Sequence, residues 1–96
     1  MIKDFRHKGL RQFCEDGSTR GMVPQHARRI KARLDVMADS DNLSDLNVPG
    51  YDLHELQGDR AGTWSIYING PWCITFRSES DGAGLIWADV DYEQYH

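Results

Sequence analysis

Hydrophobic and polar side chains alternate along two neighbouring stretches in the second half of the chain. The apolar members are Trp64, Ile66 and Ile68, and then Trp72, Ile74 and Phe76. A period of two puts alternate side chains on one face of a β-strand, so each stretch is predicted to be a strand with one face in a core. Asn69-Gly70 between them tolerates the positive φ of a tight turn, and Pro71 lengthens the loop. The pattern therefore predicts a β-hairpin.

The opposite row of the same two strands is polar. It consists of Ser65, Tyr67, Asn69, Cys73, Thr75 and Arg77. Antiparallel sheets commonly leave one face in water, so a solvated outer face is the commoner interpretation of this row. A ligand-binding face is the alternative.

Two helices are predicted in the first part of the chain. In residues 7–15, the side chains of Leu10, Phe13 and Cys14 lie at i, i+3 and i+4, which places them on one helical face. Pro24 suits the first position of a second helix. The apolar positions of that helix are Ala27, Ile30, Leu34 and Met37. This second stripe is expected to pack on the apolar row of the hairpin.

The remaining elements are shorter. Residues 2–5 predict an edge strand, residues 39–49 a loop with one helical turn, and residues 51–56 an extended segment. Glycines break the chain at residues 58–62, and a last strand is predicted over residues 84–90, followed by a tail. This order predicts one domain, residues 1–96, of the α+β class, in which a small antiparallel β-sheet carries two N-terminal helices packed on one face.

Composition limits the class of protein. The 96 residues, 40% of them hydrophobic, suffice for one modest core. No apolar run approaches the ~20 residues of a membrane span, and the charged start does not resemble a signal peptide. A cytoplasmic protein without membrane contact is therefore expected. Cys14 and Cys73 are expected to be reduced thiols, with a disulfide as the less favoured alternative.

Charge is divided unevenly along the chain, whose formal net charge is −4. Nine of the eleven Lys and Arg residues lie in residues 1–33, and twelve of the fifteen Asp and Glu residues lie in residues 34–96. The basic N-terminal third favours a polyanion or an acidic partner. Pairing of basic helices with acidic strands inside one fold explains the asymmetry equally well.

Two histidines and a tyrosine are candidates for chemistry. Taken alone, His54 is most simply a structural residue and Tyr95-His96 an ordinary tail. Taken together, one imidazole could accept a proton from a ribose 2′-hydroxyl while another acid protonates the leaving 5′-oxygen. Arg60 or Arg77 would then hold the phosphate. This constellation predicts RNA cleavage without a metal or another cofactor.

Two other kinds of site are weighed against it. Cys73 is a candidate nucleophile, but no Cys-His-acid arrangement follows from the sequence, so a small structural side chain is favoured. A metal site would draw on scattered residues such as His54, Asp91 and His96, which have no compact ligand spacing.

A longer pattern resembles a known family. The chain opens with Met1-Ile2-Lys3-x-Phe5-x-His7-Lys8-Gly9-Leu10. Its later motifs are Tyr51-x-Leu53-His54-x-Leu56-x-Gly58-Asp59-Arg60-x-Gly62-x-Trp64-Ser65-Ile66, Trp72-x-Ile74-Thr75-Phe76 and Tyr92-Glu93-x-Tyr95-His96. Together these motifs resemble the HigB branch of the RelE-type toxins over nearly the whole chain.

The resemblance implies a toxin of a bacterial type II toxin-antitoxin pair. Such a toxin enters the ribosomal A site, cuts mRNA during translation, and is silenced by a helix-turn-helix antitoxin of the HigA type. The resemblance also implies catalytic roles for His54, Tyr95 and His96. Contacts with ribosomal RNA are expected from the basic helices. The candidate residues are Lys8, Arg28, Arg29, Lys31 and Arg33.

Three positions depart from the family's pattern. Family members usually carry a lysine where this chain has Gln57, an arginine where it has Cys73 and an aspartate where it has Gln94. The expected RNA- and phosphate-binding surface consists of these three residues together with Arg60 and Arg77. Each departure removes a charge, and losing one well-placed electrostatic donor costs ~10²-fold or more in rate. A weakened endoribonuclease is therefore expected. The alternative is the same fold without catalysis, acting as an antitoxin-binding or autoregulatory partner.

Overall fold

Four antiparallel β-strands form a sheet in which the order along the chain is also the order in space. The computed structural model describes residues 1–95. The strands are β1 (His54–Glu55), β2 (Thr63–Asn69), β3 (Trp72–Ser80) and β4 (Leu85–Gln94). Within the described residues, two α-helices precede them, α1 (Lys8–Asp16) and α2 (Ala27–Asp39). This architecture confirms the predicted α+β class.

The hairpin formed by β2 and β3 carries the predicted apolar row. Its fully buried members are Ile66, Ile68, Ile74 and Phe76. Tyr67 pairs with Cys73, whereas Asn69 pairs with Trp72, so one extra residue is accommodated between Tyr67 and Asn69. Gly70 takes a φ of +58° in the turn, a conformation that glycine adopts without strain. The predicted hairpin is confirmed.

The last strand is longer than predicted. β4 runs past the predicted end at Val90 because a bulge places both Asp89 and Val90 opposite Phe76. Asp89 takes a positive φ of 53° there. The bulge shifts the alternation of the strand, so that the buried positions change from Trp87 before the bulge to Val90 and Tyr92 after it. Residues 91–94, predicted to be outside the strand, therefore belong to the sheet.

The N-terminal segment lies beside β4. Ile2 bridges Trp87 and Phe5 bridges Val90, both in parallel orientation. The predicted edge strand is therefore present as two isolated bridges rather than as a continuous strand.

Helix α1 has defined ends and a close crossing. It begins after His7, whose Nδ1 accepts a hydrogen bond from the Leu10 amide at 2.9 Å, and it ends at Gly17, whose φ is +80°. A Cβ added to Gly9 would lie 2.7 Å from the Cα of Gly21. Because real Cβ atoms do not approach so closely, glycine is needed where α1 crosses the loop that leads to α2.

The two predicted helical stripes differ in burial. A 3₁₀ turn at Pro24–His26 leads into α2. The buried apolar side chains of α2 are Ile30, Leu34 and Met37. On α1, Leu10 is buried, whereas Phe13 is half-buried and Cys14 is exposed. The prediction of a core-facing stripe is confirmed for α2 and only in part for α1.

Packing and side-chain hydrogen bonds hold α2 on the sheet. Nε1 of Trp87 donates to the carbonyl of Met37 at 3.0 Å, and Nε of Arg33 donates to the carbonyl of Tyr67 at 2.7 Å. Each fully buried Ile or Leu side chain stabilises the fold by ~1.5–3 kcal/mol. The helices therefore cover the apolar face of the sheet and leave the polar face available for a site.

The connecting segments follow the predicted breaks. A 3₁₀ turn at Leu43–Leu46 occupies the predicted loop, and another at Gly58–Arg60 occupies the glycine break. Both cysteines are free thiols. No helix in residues 1–95 combines the length and the apolar character needed to cross a bilayer.

Candidate active site

The polar face of the hairpin is partly covered rather than solvated. Ser65, Cys73 and Thr75 are at most 5% exposed. Glu93, at the end of β4, contacts Cys73 and Thr75, and Arg60, from the loop after β1, binds Glu93. The interpretation as a solvated outer face is therefore wrong at these three positions.

Arg60 and Glu93 form the central ion pair of this face. The two terminal nitrogens of Arg60 donate to the two carboxylate oxygens of Glu93 at 2.7 and 2.8 Å, and the hydroxyl of Thr75 donates to the same carboxylate. These hydrogen bonds, chiefly those from Arg60, lower the pKa of Glu93, while the bonds to Glu93 raise the pKa of Arg60. Both groups stay charged at neutral pH, and the fork of the guanidinium is occupied by Glu93.

Cys73 lies beneath this pair as a neutral thiol. Its Sγ donates to the backbone carbonyl of Glu93 at 3.6 Å, and burial raises the pKa of the thiol. Because the thiolate is the nucleophilic form of cysteine, the raised pKa favours the structural interpretation of Cys73 over a nucleophilic one.

His54 lies on β1 with one ring nitrogen fixed by the backbone. Its Nδ1 lies 2.8 Å from the carbonyl oxygen of Asp52, and the side chain is 47% exposed. In the neutral imidazole, donation from Nδ1–H to that carbonyl leaves the free lone pair on Nε2. The Asp52 carboxylate lies 3.9 Å from Nδ1.

A pocket of about 280 Å³ brings His54 and Tyr95 together, with Cys73 in its wall. The amide of Tyr95 donates to the carbonyl of Pro71 at 2.9 Å, which ties the residue to the hairpin turn. The guanidinium carbon of Arg60 lies 5.8 Å from the centre of the Tyr95 ring. A histidine, a phenol and a guanidinium therefore meet at one edge of the polar face.

The other residues predicted for this site are placed less centrally. His96, the third predicted catalytic residue, lies outside the described residues. Gln57 and Gln94 are exposed and do not line the pocket that contains His54. Of the three departures from the family's pattern, Cys73 is the one that lies in the pocket wall.

Arg77 lines a separate cleft of about 260 Å³. The cleft also contains Arg6, Arg60 and three aspartates, Asp59, Asp89 and Asp91. The aspartates offset the arginines, so the cleft carries no excess of positive charge for a phosphate. Arg60 lies beside the pocket that contains His54, through its contact with the Tyr95 ring, whereas Arg77 does not line that pocket.

The alternative of a metal site does not fit the sheet register. His54 pairs with Ser65, Ser65 with Thr75, and Thr75 with Asp91. Because neighbouring strands lie ~4.8 Å apart, His54 and Asp91 are separated by about 14 Å, too far to share one ion. Within residues 1–95, no group of three or more His, Cys, Asp or Glu side chains is arranged to hold a metal.

The basic residues predicted to contact ribosomal RNA differ in exposure. Lys8, Arg28, Arg29 and Lys31 are exposed. The guanidinium of Arg29 also donates to the carbonyl of Ile68 at 2.7 Å. Arg33 is 8% exposed, and its guanidinium lies 4.4 Å above the centre of the Tyr51 ring. Arg33 therefore packs inside the fold and presents almost no surface to RNA.

Glu93 has no role in the sequence interpretation, although its carboxylate holds the guanidinium of Arg60. It pairs with Cys73 across β3 and β4, so both side chains lie on the polar face. The alternation of side chains along β4 would place Glu93 on the polar face if the predicted strand were extended past Val90. The bulge at Asp89 conceals that alternation.

Comparisons with known proteins identify relatives along the whole chain. Residues 3–93 match the family model described as the RelE-like toxin of the type II toxin-antitoxin system HigB. The endoribonuclease HigB of Proteus vulgaris is 41% identical over 96 residues, which cover all of both chains. An uncharacterised protein of Haemophilus influenzae is 29% identical over 87 residues, covering 88% of this chain and 86% of that protein.

Proposed function

This chain belongs to the HigB-like family of RelE-like toxins of type II toxin-antitoxin systems, and we propose that it is an endoribonuclease that cuts mRNA in the ribosomal A site. A toxin of this type acts with an antitoxin, for which we propose a helix-turn-helix protein of the HigA type. The ribosome and mRNA as partners place the working protein in the cytoplasm.

The orientation of His54 is the observation that carries the nuclease proposal. Its Nδ1 is fixed by the carbonyl of Asp52 at 2.8 Å, and His54 lines the same pocket as Tyr95. An imidazole held in this tautomer has one free nitrogen with which to accept a proton. This is the group that RNA cleavage through the 2′-hydroxyl requires.

The proposed reaction is an internal transesterification. Nε2 of His54 removes the proton from a ribose 2′-hydroxyl, and the 2′-oxygen attacks the adjacent phosphorus. The bond from phosphorus to the 5′-oxygen breaks, and that oxygen takes a proton from His96, with Tyr95 orienting the acid or sharing in the transfer. The products are a 2′,3′-cyclic phosphate and a 5′-hydroxyl. Arg60 stabilises the negative charge that grows on the phosphate.

We propose that cleavage depends on the ribosome, because the isolated site has little free positive charge with which to bind RNA. The guanidinium of Arg60 is engaged by Glu93, and Cys73 supplies no charge where family members usually carry an arginine. A site with so little free positive charge binds bare RNA weakly, and the acidic residues 34–96 repel it. We propose that the ribosome positions the mRNA. The side chains proposed to contact ribosomal RNA are Lys8, Arg28 and Lys31.

The same two features favour a second candidate function. If the Arg60–Glu93 pair and the Cys73 thiol leave too little positive charge for catalysis, the chain is a toxin-fold protein whose role is antitoxin binding or autoregulation. The two candidates differ in one observable, which is cleavage of mRNA on translating ribosomes.

The test measures mRNA cleavage in a purified translation system, together with growth on induction. Wild-type protein should cut mRNA and arrest growth, whereas His54→Ala and His96→Ala should each lower the cleavage rate by about 10²-fold or more, as expected for loss of a general base or acid. Gln12→Ala, an exposed and uncharged change on α1, is the control and should behave as wild type. Intact mRNA with wild-type protein would reject the nuclease in favour of the second candidate.

A further inference from the structure

A groove runs between the C-terminal end of α1 and the outer face of α2, on the helix side of the sheet. It consists of two adjoining cavities of about 390 and 530 Å³. We call it the helix groove. Its apolar lining comes from Phe13, Cys14, Ala27, Ala32 and Leu34.

The helix groove contains apolar surface that the fold itself does not cover. Phe13 and Cys14 belong to the helical stripe that the sequence predicts to face a core, yet Phe13 is half-buried and Cys14 is exposed. Ala32 on α2 is exposed as well. An apolar stripe bordered by polar residues is the usual form of a site for another protein.

The charged border of the helix groove is basic. Arg28 and Lys31 line it together with a single acid, Asp35. Lys31 pairs with Asp35 at 3.0 Å, whereas Arg28 forms no ion pair within residues 1–95. The border is therefore complementary to an acidic partner.

We propose that the helix groove binds an amphipathic helix of the antitoxin, with apolar anchors on one face and acidic side chains beside them. An amphipathic helix lying in a groove between two helices is a recurring mode of protein recognition. Ribosomal RNA would contact Arg28 and Lys31 but not the apolar lining, because its phosphates bind cationic side chains. The proposal rests on membership of a toxin-antitoxin family and not on the proposed nuclease, so each can fail while the other stands.

The test is the affinity of the purified chain for a purified HigA-type antitoxin, measured by calorimetry. Ala32→Glu places a carboxylate in the groove and should weaken binding at least tenfold. Ala32→Arg introduces similar bulk with the opposite charge and should weaken binding less than Ala32→Glu does, since an acidic partner attracts it.

The matched control is Ala38→Glu, which makes the same substitution at another exposed position of α2 that does not line the groove. It should bind the antitoxin as wild type does, and its thermal unfolding midpoint should match that of Ala32→Glu.

Wild-type affinity in Ala32→Glu would overturn the proposal. Equal weakening by Ala32→Arg and Ala32→Glu would overturn the acidic character of the partner. If Ala32→Glu lowered binding to ribosomes and left antitoxin affinity unchanged, the groove would be an RNA-binding surface and the proposal would be wrong.

Discussion

Cys73 occupies the position where one added charge should change catalysis most. It lies in the wall of the pocket that contains His54 and Tyr95, and the neighbouring Arg60 is already engaged by Glu93. We expect Cys73→Arg to raise the rate of mRNA cleavage on ribosomes by up to roughly 10²-fold, the size of effect seen for one electrostatic donor at a reacting centre. Single-turnover cleavage rates measure it.

The control for this substitution is Cys73→Gln, which adds polar bulk without a charge. It should not raise the rate. A similar gain with glutamine would show that removal of the thiol, rather than addition of a cation, is responsible, and no gain with arginine would count against a phosphate beside Cys73.

Glu93 links the site to stability at acid pH. The Arg60 guanidinium holds the pKa of Glu93 below its ordinary value of 4.5. At a pH between the lowered pKa of Glu93 in the folded protein and its ordinary pKa, the unfolded chain binds more protons than the folded one. The contribution of Glu93 to the free energy of unfolding is therefore complete above about pH 4.5 and is lost as pH falls through the folded pKa. Glu93→Gln should lower the free energy of unfolding by about 1 kcal/mol at neutral pH and flatten its decline in acid.

Urea unfolding at neutral pH and near pH 4 measures both effects of Glu93→Gln. Glu15→Gln is the comparison, because Glu15 forms an exposed pair with Arg11 at 3.8 Å, and exposed pairs contribute little. An equally steep acid decline in Glu93→Gln and wild type would mean that Glu93 does not titrate below its ordinary range.

At the scale of single residues, the sequence predicts which candidate side chains share a pocket better than it predicts their individual contacts. His54 and Tyr95 are predicted as candidates and lie at one pocket. The bond between Arg60 and Glu93 is not predictable from their separation along the chain, because it depends on the register of β3 and β4. Arg33 is assigned to RNA by its charge alone, and charge does not distinguish an exposed guanidinium from one that donates to the carbonyl of Tyr67.

At the scale of elements, periodic stretches are predicted well and irregular ones are not. The hairpin and α2 follow from repeated apolar spacing. The end of β4 does not follow from apolar spacing, since the bulge at Asp89 places two residues opposite one. The bulge interrupts the alternation, so the sequence pattern predicts a tail for the residues after it. The bulge keeps Tyr92 in the core, and Tyr92 therefore anchors the strand that carries Glu93 and ends directly before Tyr95.

Tyr92 connects β4 to the start of α2. Its hydroxyl lies 2.7 Å from Nδ1 of the buried His26, and its ring stacks on Trp72 at a centroid distance of 4.5 Å. Tyr92→Phe should lower the free energy of unfolding by about 1–3 kcal/mol, because it leaves a buried ring nitrogen without a partner. Chemical denaturation measures this loss.

Tyr67→Phe supplies the comparison for Tyr92→Phe. The Tyr67 hydroxyl accepts a hydrogen bond from the Gly70 amide at 3.0 Å, but the residue is 38% exposed, so water can replace the lost bond. Equal losses for the two substitutions would contradict an anchoring role for the contact between Tyr92 and His26.

At the scale of the whole molecule, the division of charge reflects two different uses of basic residues. Among the described residues, no ion pair joins α1 or α2 to a strand. Two arginines of α2, the exposed Arg29 and the buried Arg33, donate instead to backbone carbonyls of β2. Lys3 pairs with Glu79 on β3, but it lies outside the helices. Pairing of basic helices with acidic strands therefore does not explain the asymmetry, and the cations that remain on the surface are available for an anionic partner.

This division predicts different outcomes for substitutions on one helix. The double change Arg28→Gln and Lys31→Gln should weaken binding to ribosomes and reduce the slope of log affinity against log salt concentration by roughly 1–2, because each phosphate contact contributes about 0.7–0.9 to that slope. Arg33→Gln should leave the slope unchanged and lower the free energy of unfolding instead, since it removes a buried bond to Tyr67. Binding to purified ribosomes at several potassium chloride concentrations separates the two effects. A reduced slope in Arg33→Gln, with unfolding unchanged, would mean that this guanidinium leaves the core to contact RNA.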